Sequence, residues 1–483
     1  MEYVVVILQA VVVIGAIVLG VRTGGLGLGL WGVVGTAILV FVFQLPPGDV
    51  PIDAFFIIIA VITASSAMQA AGGIDYLVSI ASRIIQANPK RLTYVAPIVA
   101  FVFTVLAGTS NIYFALIPII YETAYRNGQR PERALASSTV TSALGITASP
   151  VSAAMAAYLV LMDGTGYGLA QILIITIPAS IIACLATSVV QQRIGKELVN
   201  DPAFRKRVDE HEIEVPAVLS AQFAGDAAAG ATASGGAGGS IGGDAPTAVA
   251  TPAKPVRIEH PVPPGGATAA WIFLSGTFLI VLFGLFSGLR PAFPNEDGDL
   301  VPIPMATVIE MVMFTAALAI ILVRRVKPST VVEQPLLRAG FVAAVALFGI
   351  AWMADTFISA NEETIIAPLG ELIDQQPILL AVALFLVAGL TTSQSATTNT
   401  LIPIALAAGL APGVITAMWP SLVGVWLFPA NGSQIAAVET DLTGSTKLTQ
   451  VPVWHSFTIP MLVSWVAVVA SGLLIQLVVP AAG

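Results

Sequence analysis

The chain has 483 residues, of which 56% are hydrophobic and 10% charged, and its mean hydropathy is +0.90. Little of such a chain fits a soluble domain, and its formal charge of −8 describes the loops and carries no information about a substrate. One cysteine excludes disulfides and cysteine metal sites; with three histidines, two of them in a polar stretch, neither a His-ligated metal nor His-based catalysis is expected, and no nucleic-acid partner or cofactor is expected either.

Apolar runs long enough for the roughly 20 residues that a bilayer crossing needs occur at 3–20, 24–45, 268–287, 303–323 and 456–479. The first begins Met1-Glu2-Tyr3, without a basic start, and a second apolar run follows at once. Residues 1–22 therefore read as an N-terminal transmembrane helix and not as a cleaved signal peptide. Gly24-Gly25-Leu26-Gly27-Leu28-Gly29 lies in an apolar run with no preceding strand, so it reads as close helix packing and not as a phosphate loop.

Polar breaks then interrupt the apolar pattern twice in each half. Ala107-Gly108-Thr109-Ser110-Asn111, with Leu116-Ile117-Pro118-Ile119 behind it, is followed by Thr147-Ala148-Ser149-Pro150-Val151-Ser152. In the second half, Thr391 to Asn399 with Leu401-Ile402-Pro403-Ile404 is followed by Pro429-Ala430-Asn431-Gly432-Ser433. Interrupted hydrophobic segments at corresponding positions of two halves point to a transporter's binding site.

Basic residues set the orientation. Arg22, the group Arg83, Lys90 and Arg91, the group Arg126, Arg130 and Arg133, the stretch Arg193 to Arg207, and Arg324, Arg325 and Lys327 are assigned to the cytoplasm; acidic loops such as 46–53 and 361–374 are assigned outside. Both termini then fall on the periplasmic or extracellular side. Segment 92–125, between two basic loops, must enter and leave on one side. Its first arm of 16 residues is about 24 Å long as a helix, so it reads as a re-entrant hairpin with Gly108 to Asn111 at its tip. Segment 377–410 repeats the pattern from the opposite face. The expected fold is thus all-α and polytopic, with about ten transmembrane helices and two hairpins in two inverted-topology repeats.

The first repeat is assigned to 23–193, with hairpin 92–125, and the second to 302–483, with hairpin 377–410; the transmembrane helix and external loop at 268–301 connect them. Between them 194–267 is a cytoplasmic linker. Its part 211–265 has no apolar face to bury, Ala227 to Gly243 being nearly all Ala, Gly, Ser and Thr, and is expected to be disordered.

Non-helical backbone at membrane depth is tolerated only against protein or a wet cavity. Helix N-termini meeting at such breaks carry partial positive charge, and Ser, Thr and Asn add short donors, a combination suited to a carboxylate. No Lys, Arg, Asp or Glu lies between Leu92 and Tyr121 or between Pro377 and Val438. A dianion would be held without an arginine clamp, weakly and reversibly, as a carrier requires. The candidate substrate-binding residues are Thr109, Ser110, Asn111, Thr147, Ser149 and Ser152, with Ser393, Ser395, Thr398, Asn399, Asn431 and Ser433. The bland reading of each hydroxyl is a bond to the preceding turn's carbonyl. Pro118 and Pro403 are kinks or hinges. Asp75 and Asp355 are candidates for coupling a proton or sodium ion, against the plainer reading that each caps a helix starting there.

The motifs Ala71-Gly72-Gly73-Ile74-Asp75-Tyr76-Leu77, Leu106-Ala107-Gly108-Thr109-Ser110-Asn111, Arg130-Pro131-Glu132-Arg133 and Ile146-Thr147-Ala148-Ser149-Pro150-Val151-Ser152, with Asp201-Pro202, Asp355-Thr356-Phe357 and Ser393-Gln394-Ser395-Ala396-Thr397, closely resemble the anaerobic C4-dicarboxylate transporter family of bacterial inner membranes. The resemblance covers nearly the whole chain outside 211–265. It implies exchange or uptake of fumarate, malate, aspartate and succinate, and an elevator-type carrier of the ion-transporter superfamily, from which a homodimer is expected by analogy. A carrier of another organic anion and a sodium/proton antiporter are the alternatives. An intramembrane enzyme lacks a nucleophile–base pair at depth.

Overall fold

The computed structural model describes residues 2–23, 26–220, 222–223, 262–294, 299–361, 377–428, 431–448 and 453–481. Nearly all of it is helical, as an apolar chain must be where no water is available to satisfy its backbone. The exception is a short antiparallel ribbon, β1 (Ala292–Pro294) with β2 (Leu300–Pro302).

Helices α1 (Glu2–Thr23) and α2 (Gly27–Phe41) pack on each other, and α3 (Ile52–Ala70) follows. At Gly72, whose φ of +78° suits glycine, the chain bends by 73° into α4 (Gly73–Ala87), which buries Leu77, Val78, Ala81 and Ile85 on one face. Helix α5 (Leu92–Ala107) ends at Gly108, turns through Thr109 to Asn111, and returns as α6 (Ile112–Arg126). Helix α7 (Pro131–Thr147) breaks at 148–152 and resumes as α8 (Ala153–Leu161), and the long α9 (Leu169–Gln191) and short α10 (Pro202–Asp209) complete the first half.

Helices α11 (Gly266–Leu285), α12 (Met305–Arg324), α13 (Pro328–Val332) and α14 (Pro335–Ala360) come next. Helices α15 (Ile378–Thr391) and α16 (Gln394–Ala407) form a second helix–turn–helix around Thr392. Helix α17 (Pro412–Met418) continues as the 3-10 segment Trp419–Trp426, and α18 (Gly432–Thr440) resumes after a second break; α19 (Thr458–Gln476) is the last element.

The succession helix–turn–helix, broken helix, long helix therefore occurs twice, at 92–191 and at 378–476. Two glycines mark the correspondence. A Cβ on Gly145 would collide with Thr104 and the Phe101 carbonyl of α5, and one on Gly424 with the Phe385 carbonyl of α15, so each broken helix lies flush on the first arm of its own helix pair. Seven residues after each glycine stands the residue that caps the resumed helix, Ser152 for α8 and Asn431 for α18. Across the halves, α9 packs along α19.

Around this assembly stand α1, α2, α3, α11, α12 and α14. The glycine-rich run at the start of α2 is a packing face: Gly29 and Gly32 leave no room for a Cβ against α14 at Val345 and Gly349. Apolar side chains remain exposed along α1 and α12, among them Val4, Ile7, Leu8, Phe314, Leu318 and Leu322, as on a surface that faces lipid.

Several expectations change in detail. By length and composition six described helices are long and apolar enough to cross a membrane, or seven counting the bent pair α3–α4. One of the six is the first hairpin arm, Pro89–Ala107, which is not among the expected ten; the other expected crossings, the broken pairs α7–α8 and α17–α18 among them, fall on elements that do not reach that length unbroken. A 3-10 turn at Pro89–Arg91 extends α5 to 19 residues, so its length does not by itself make that arm too short to span. Asp355 caps no helix start, because α14 is continuous through it; its carboxylate accepts the N–H of Asp49 (2.7 Å) while Thr356 accepts that of Gly48 (3.1 Å), fixing the loop after α2 to α14. The ends of the 211–265 linker are packed: Leu219 and Phe223 close on Phe204, and Pro263 lies over Gly72. Its middle, 224–261, lies outside the described residues, as do 362–376, most of the acidic loop after α14, and Pro429 and Ala430 of the second break.

Candidate functional site

The tips of the two helix pairs face a common cavity. Gly108, Thr109, Ser110 and Asn111 from the first, and Thr392, Ser393, Gln394 and Ser395 from the second, line one cavity of about 260 Å³. Ala143, Ile146 and Val151 around the first break and Val425, Trp426 and Asn431 around the second close it, against Val61, Ile62 and Ser65 of α3 and Gly340 of α14.

Local chemistry shapes each tip. Gly108 takes φ +69°, and a Cβ there would strike the Val151 carbonyl, so the first tip rests directly on the break of α7–α8. Thr109 Oγ1 accepts the Asn111 N–H (3.2 Å). At the second tip Thr392 has φ +50°, Ser393 Oγ accepts the Ala396 N–H (3.2 Å) to cap α16, and the Thr391 and Thr397 hydroxyls pair at 3.0 Å. Gln394 Nε2 donates to the Ala143 carbonyl (3.0 Å), which joins the second tip to α7 of the first half.

No ionisable side chain lines this cavity among the described residues. Its electrostatics come from backbone. Helices α6, α8, α16 and α18 all start at its wall, through Asn111, Ala153, Ser393 and Asn431. Each helix leaves its first N–H groups without intrahelical partners and carries about half a positive charge at that end. Four such ends around one small space attract an anion and offer it donors.

The cavity gathers six of the twelve expected binding residues: Thr109, Ser110, Asn111, Ser393, Ser395 and Asn431. The other six stand behind its wall. Thr147 donates to the Leu144 carbonyl (3.1 Å). Ser149 Oγ donates to the Val105 carbonyl (2.7 Å) and accepts the Val151 N–H. Ser152 Oγ reaches the Ile146 carbonyl (2.7 Å) and accepts the Met155 N–H (3.0 Å). All three are fully buried, and their bonds hold the break open. Thr398 donates to the Gln394 carbonyl and accepts the Trp419 indole N–H (2.9 Å). Ser433 gives its N–H to Asn431 Oδ1. Asn399 is 1% exposed, and neither end of its amide has a hydrogen-bond partner among the described residues.

The reading of the sequence omitted Ser65, Gly108, Thr392, Gln394 and Trp426. Gln394 and Thr392 lay inside the second polar cluster and could have been included on that ground. Trp426, 2% exposed with an indole N–H that has no partner among the described residues, sits in an apolar run that gives no signal. Asp75 and Asp355 do not reach the cavity. Asp75 lines a separate one with Arg324, Arg325 and Lys327, and Asp355 another with Asp49 and Asp163. Among the described residues no group of His, Cys, Asp and Glu is arranged to hold a metal ion.

Away from the cavity, Arg130 pairs with Glu132 (2.5 Å) and with Asp201, and all three are buried. Ser456 donates to Glu132, and Ser445 Oγ accepts the Glu132 N–H (3.2 Å), so the group ties α7 to Ser445 and Ser456 of the second half. Burial alone would raise the Asp201 carboxyl, but the Phe204 N–H and the Arg130 guanidinium outweigh it and hold the group below its ordinary value.

Comparison with known proteins bears on these features. The family described as anaerobic C4-dicarboxylate membrane transporter matches residues 5–480. The anaerobic C4-dicarboxylate transporter DcuB of Escherichia coli O6:H1 is 33% identical, over 94% of this chain and 95% of its own. The C4-dicarboxylate transporters DcuA of Escherichia coli K12 and of Wolinella succinogenes are 32% and 30% identical over the same shares. A solved structure of the Neisseria gonorrhoeae efflux pump MtrF superposes with a TM-score of 0.50 at 11% identity, covering 93% of this chain and 92% of that one, a likeness of fold alone.

Proposed function

Because the chain belongs to the anaerobic C4-dicarboxylate membrane transporter family, we propose that the cavity between its two tips is where the dicarboxylate is bound. The protein is a membrane transporter of four-carbon dicarboxylates and not an enzyme. The observation that carries the assignment of the site is the convergence of four helix N-termini on a cavity without formal charge.

In this reading one carboxylate of the substrate faces Thr109, Ser110 and Asn111 and the other faces Ser393, Ser395 and Asn431, each near two helix ends. Hydroxyls, amides and backbone N–H groups hold the dianion, and no arginine fixes it. Each bond from a neutral donor to a carboxylate contributes roughly 1.5–3 kcal/mol, but without the added attraction of an opposite formal charge, which favours release as well as capture. Thr147, Ser149 and Ser152 act as positioning residues that keep the first break in shape. The Trp426 indole and the Asn399 amide, buried without partners among the described residues, are further groups for substrate or a coupled ion. An antiporter of sodium against protons would call for buried carboxylates at the tips, and the uncharged lining speaks against it.

The finer expectations complete the proposal: re-entrant tips in two inverted repeats that move as an elevator, fumarate in against succinate out, coupling to protons or sodium where uptake is net, a homodimer in the bacterial inner membrane, and both termini outside with the central linker in the cytoplasm. Counterflow in proteoliposomes preloaded with succinate tests the core of it, with labelled fumarate, aspartate and citrate offered with and without sodium or a proton gradient. Rapid entry of fumarate and aspartate with citrate excluded is expected. Entry of citrate at an equal rate would overturn the assignment of a cavity sized for four carbons.

A further inference from the structure

The cavity beside Asp75 takes no part in the site between the tips. It has a volume of about 380 Å³ and lies where α12 ends, α11 begins and α3 bends into α4. Arg324, Arg325 and Lys327 line it, against the carboxylate of Asp75. Arg324 is held in place: its guanidinium lies flat on Gly265, where a Cβ would overlap it, and one terminal nitrogen donates to the Pro264 carbonyl. Its Nε is buried and without a hydrogen-bond partner among the described residues, as is Gln69 Oε1 in the same wall. A preset guanidinium with a donor to spare and a neighbouring unpaired acceptor make a built pocket, not a loose basic surface.

Position says what would fill it. Helices α11 and α12 are two of the six long apolar helices, and the cavity lies where Gly266 opens the one and Arg324 closes the other. That is the level at which hydrocarbon gives way to headgroups. On the outer face of α12, away from Ile320 and Arg324, Phe314, Leu318 and Leu322 are exposed, 41%, 56% and 65% accessible, as on a helix bordered by lipid up to this level. Trp271 is exposed on the first turns of α11, in the manner of an interface aromatic. Basic pockets between membrane helices at this level suit anionic lipid headgroups.

We propose that this cavity binds the headgroup of an anionic glycerophospholipid, with the phosphate on Arg324, Arg325 and Lys327 and a headgroup hydroxyl donating to Gln69, the acyl chains passing into the bilayer beside it. Among the described residues, three cations against one carboxylate select a headgroup of net negative charge over a zwitterionic one. The site is independent of the dicarboxylate cavity, which shares none of its residues.

The test uses the full-length protein purified in detergent, with thermal unfolding read while phosphatidylglycerol, phosphatidylcholine or inorganic phosphate is added. Phosphatidylglycerol should raise the midpoint saturably and the other two should not. The variant R325Q/K327Q changes only two exposed side chains, so it should unfold like wild type without lipid, yet need about thirtyfold more phosphatidylglycerol for half its effect. Wild-type affinity in R325Q/K327Q would overturn the proposal, and so would equal stabilisation by phosphatidylcholine. Stabilisation by inorganic phosphate alone would replace the lipid with a soluble anion and overturn it as well. Lipids retained in native mass spectra give a second readout: phosphatidylglycerol should leave with wild type and be absent from the variant.

Discussion

Replacing Gly108 by alanine is the sharpest perturbation of the proposed site. Two effects fall on that position: φ of +69°, which costs an alanine about 1 kcal/mol, and the Val151 carbonyl oxygen, which the new Cβ would meet well inside the 3.0 Å that real Cβ atoms respect. Both partners are backbone, so neither swings aside. To regain ordinary contact at 3.4 Å the tip has to back off by roughly 1 Å, an overpacking that typically costs about 1–3 kcal/mol. Thr109, Ser110 and Asn111 ride on that tip, and a shift of this size takes a donor from hydrogen-bond distance to beyond it. With each lost bond to a carboxylate costing about 1.5–3 kcal/mol and tenfold lying at about 1.4, exchange should fall by tenfold or more. Gly164→Ala is the control, because Gly164 has φ of +72° and nothing within 4 Å of its Cβ position, so it carries the strain without the collision. Fumarate–succinate counterflow, normalised to folded protein by size-exclusion chromatography, should separate the two variants, with G164A within about twofold of wild type. Equal rates per folded molecule in G108A and G164A would refute the idea that the first tip must rest on the break.

Further outcomes follow from the same geometry. Asn111→Ala should abolish exchange with little change in thermal stability, whereas Ser149→Ala, which frees the Val105 carbonyl, should cost roughly 1 kcal/mol of stability; comparing counterflow with the unfolding midpoint in each variant distinguishes a lining residue from a supporting one. Arg130→Met leaves Glu132 and Asp201 buried without their cation and should destabilise by about 3–5 kcal/mol, more than Asp201→Asn, which leaves Arg130 paired with Glu132; thermal unfolding in detergent ranks them. Asp201 is held below its ordinary value of 3.8, so its contribution is present above that pH and is lost as the pH falls through the lower folded value; acid titration of wild type and Asp201→Asn should show the loss in wild type alone. Gly349→Leu, placed against the Gly29 backbone, should separate α2 from α14 and lower the yield of folded protein severalfold, as read by fluorescence-detected chromatography.

What the sequence revealed and what it hid have separate physical causes. The breaks and tips were legible because a run such as Gly108-Thr109-Ser110-Asn111 has no place against lipid, and because such runs occur in both halves. Half of the expected binding residues proved to lie behind the cavity, since a hydroxyl's partner is set by tertiary contact: Ser149 bonds to Val105, 44 positions away, and Ser152 to the end of the preceding helix. Trp426 was hidden by being apolar in an apolar stretch. The residue types of the second break differ from those of the first, and it is the caps and the two buried glycines, Gly145 and Gly424, that align Ser152 with Asn431. Asp355 looked like a counterpart of Asp75 until α14 ran unbroken through it, a difference of backbone that its neighbours in the chain do not announce.

Among the described residues, the cavity proposed for the substrate is walled by alcohols, amides, aliphatic side chains, glycine backbone and one indole, and none of these titrates between pH 5 and 8. Its attraction for anions is therefore constant across the range a bacterium meets. Acidification acts first on the cargo: once one end of a diacid takes up a proton, that end ceases to be an anion, and the helix ends around it have half as much charge to hold. The pH profile of exchange should accordingly follow the second ionisation of whichever acid is supplied, moving from one substrate to the next while the protein stays the same.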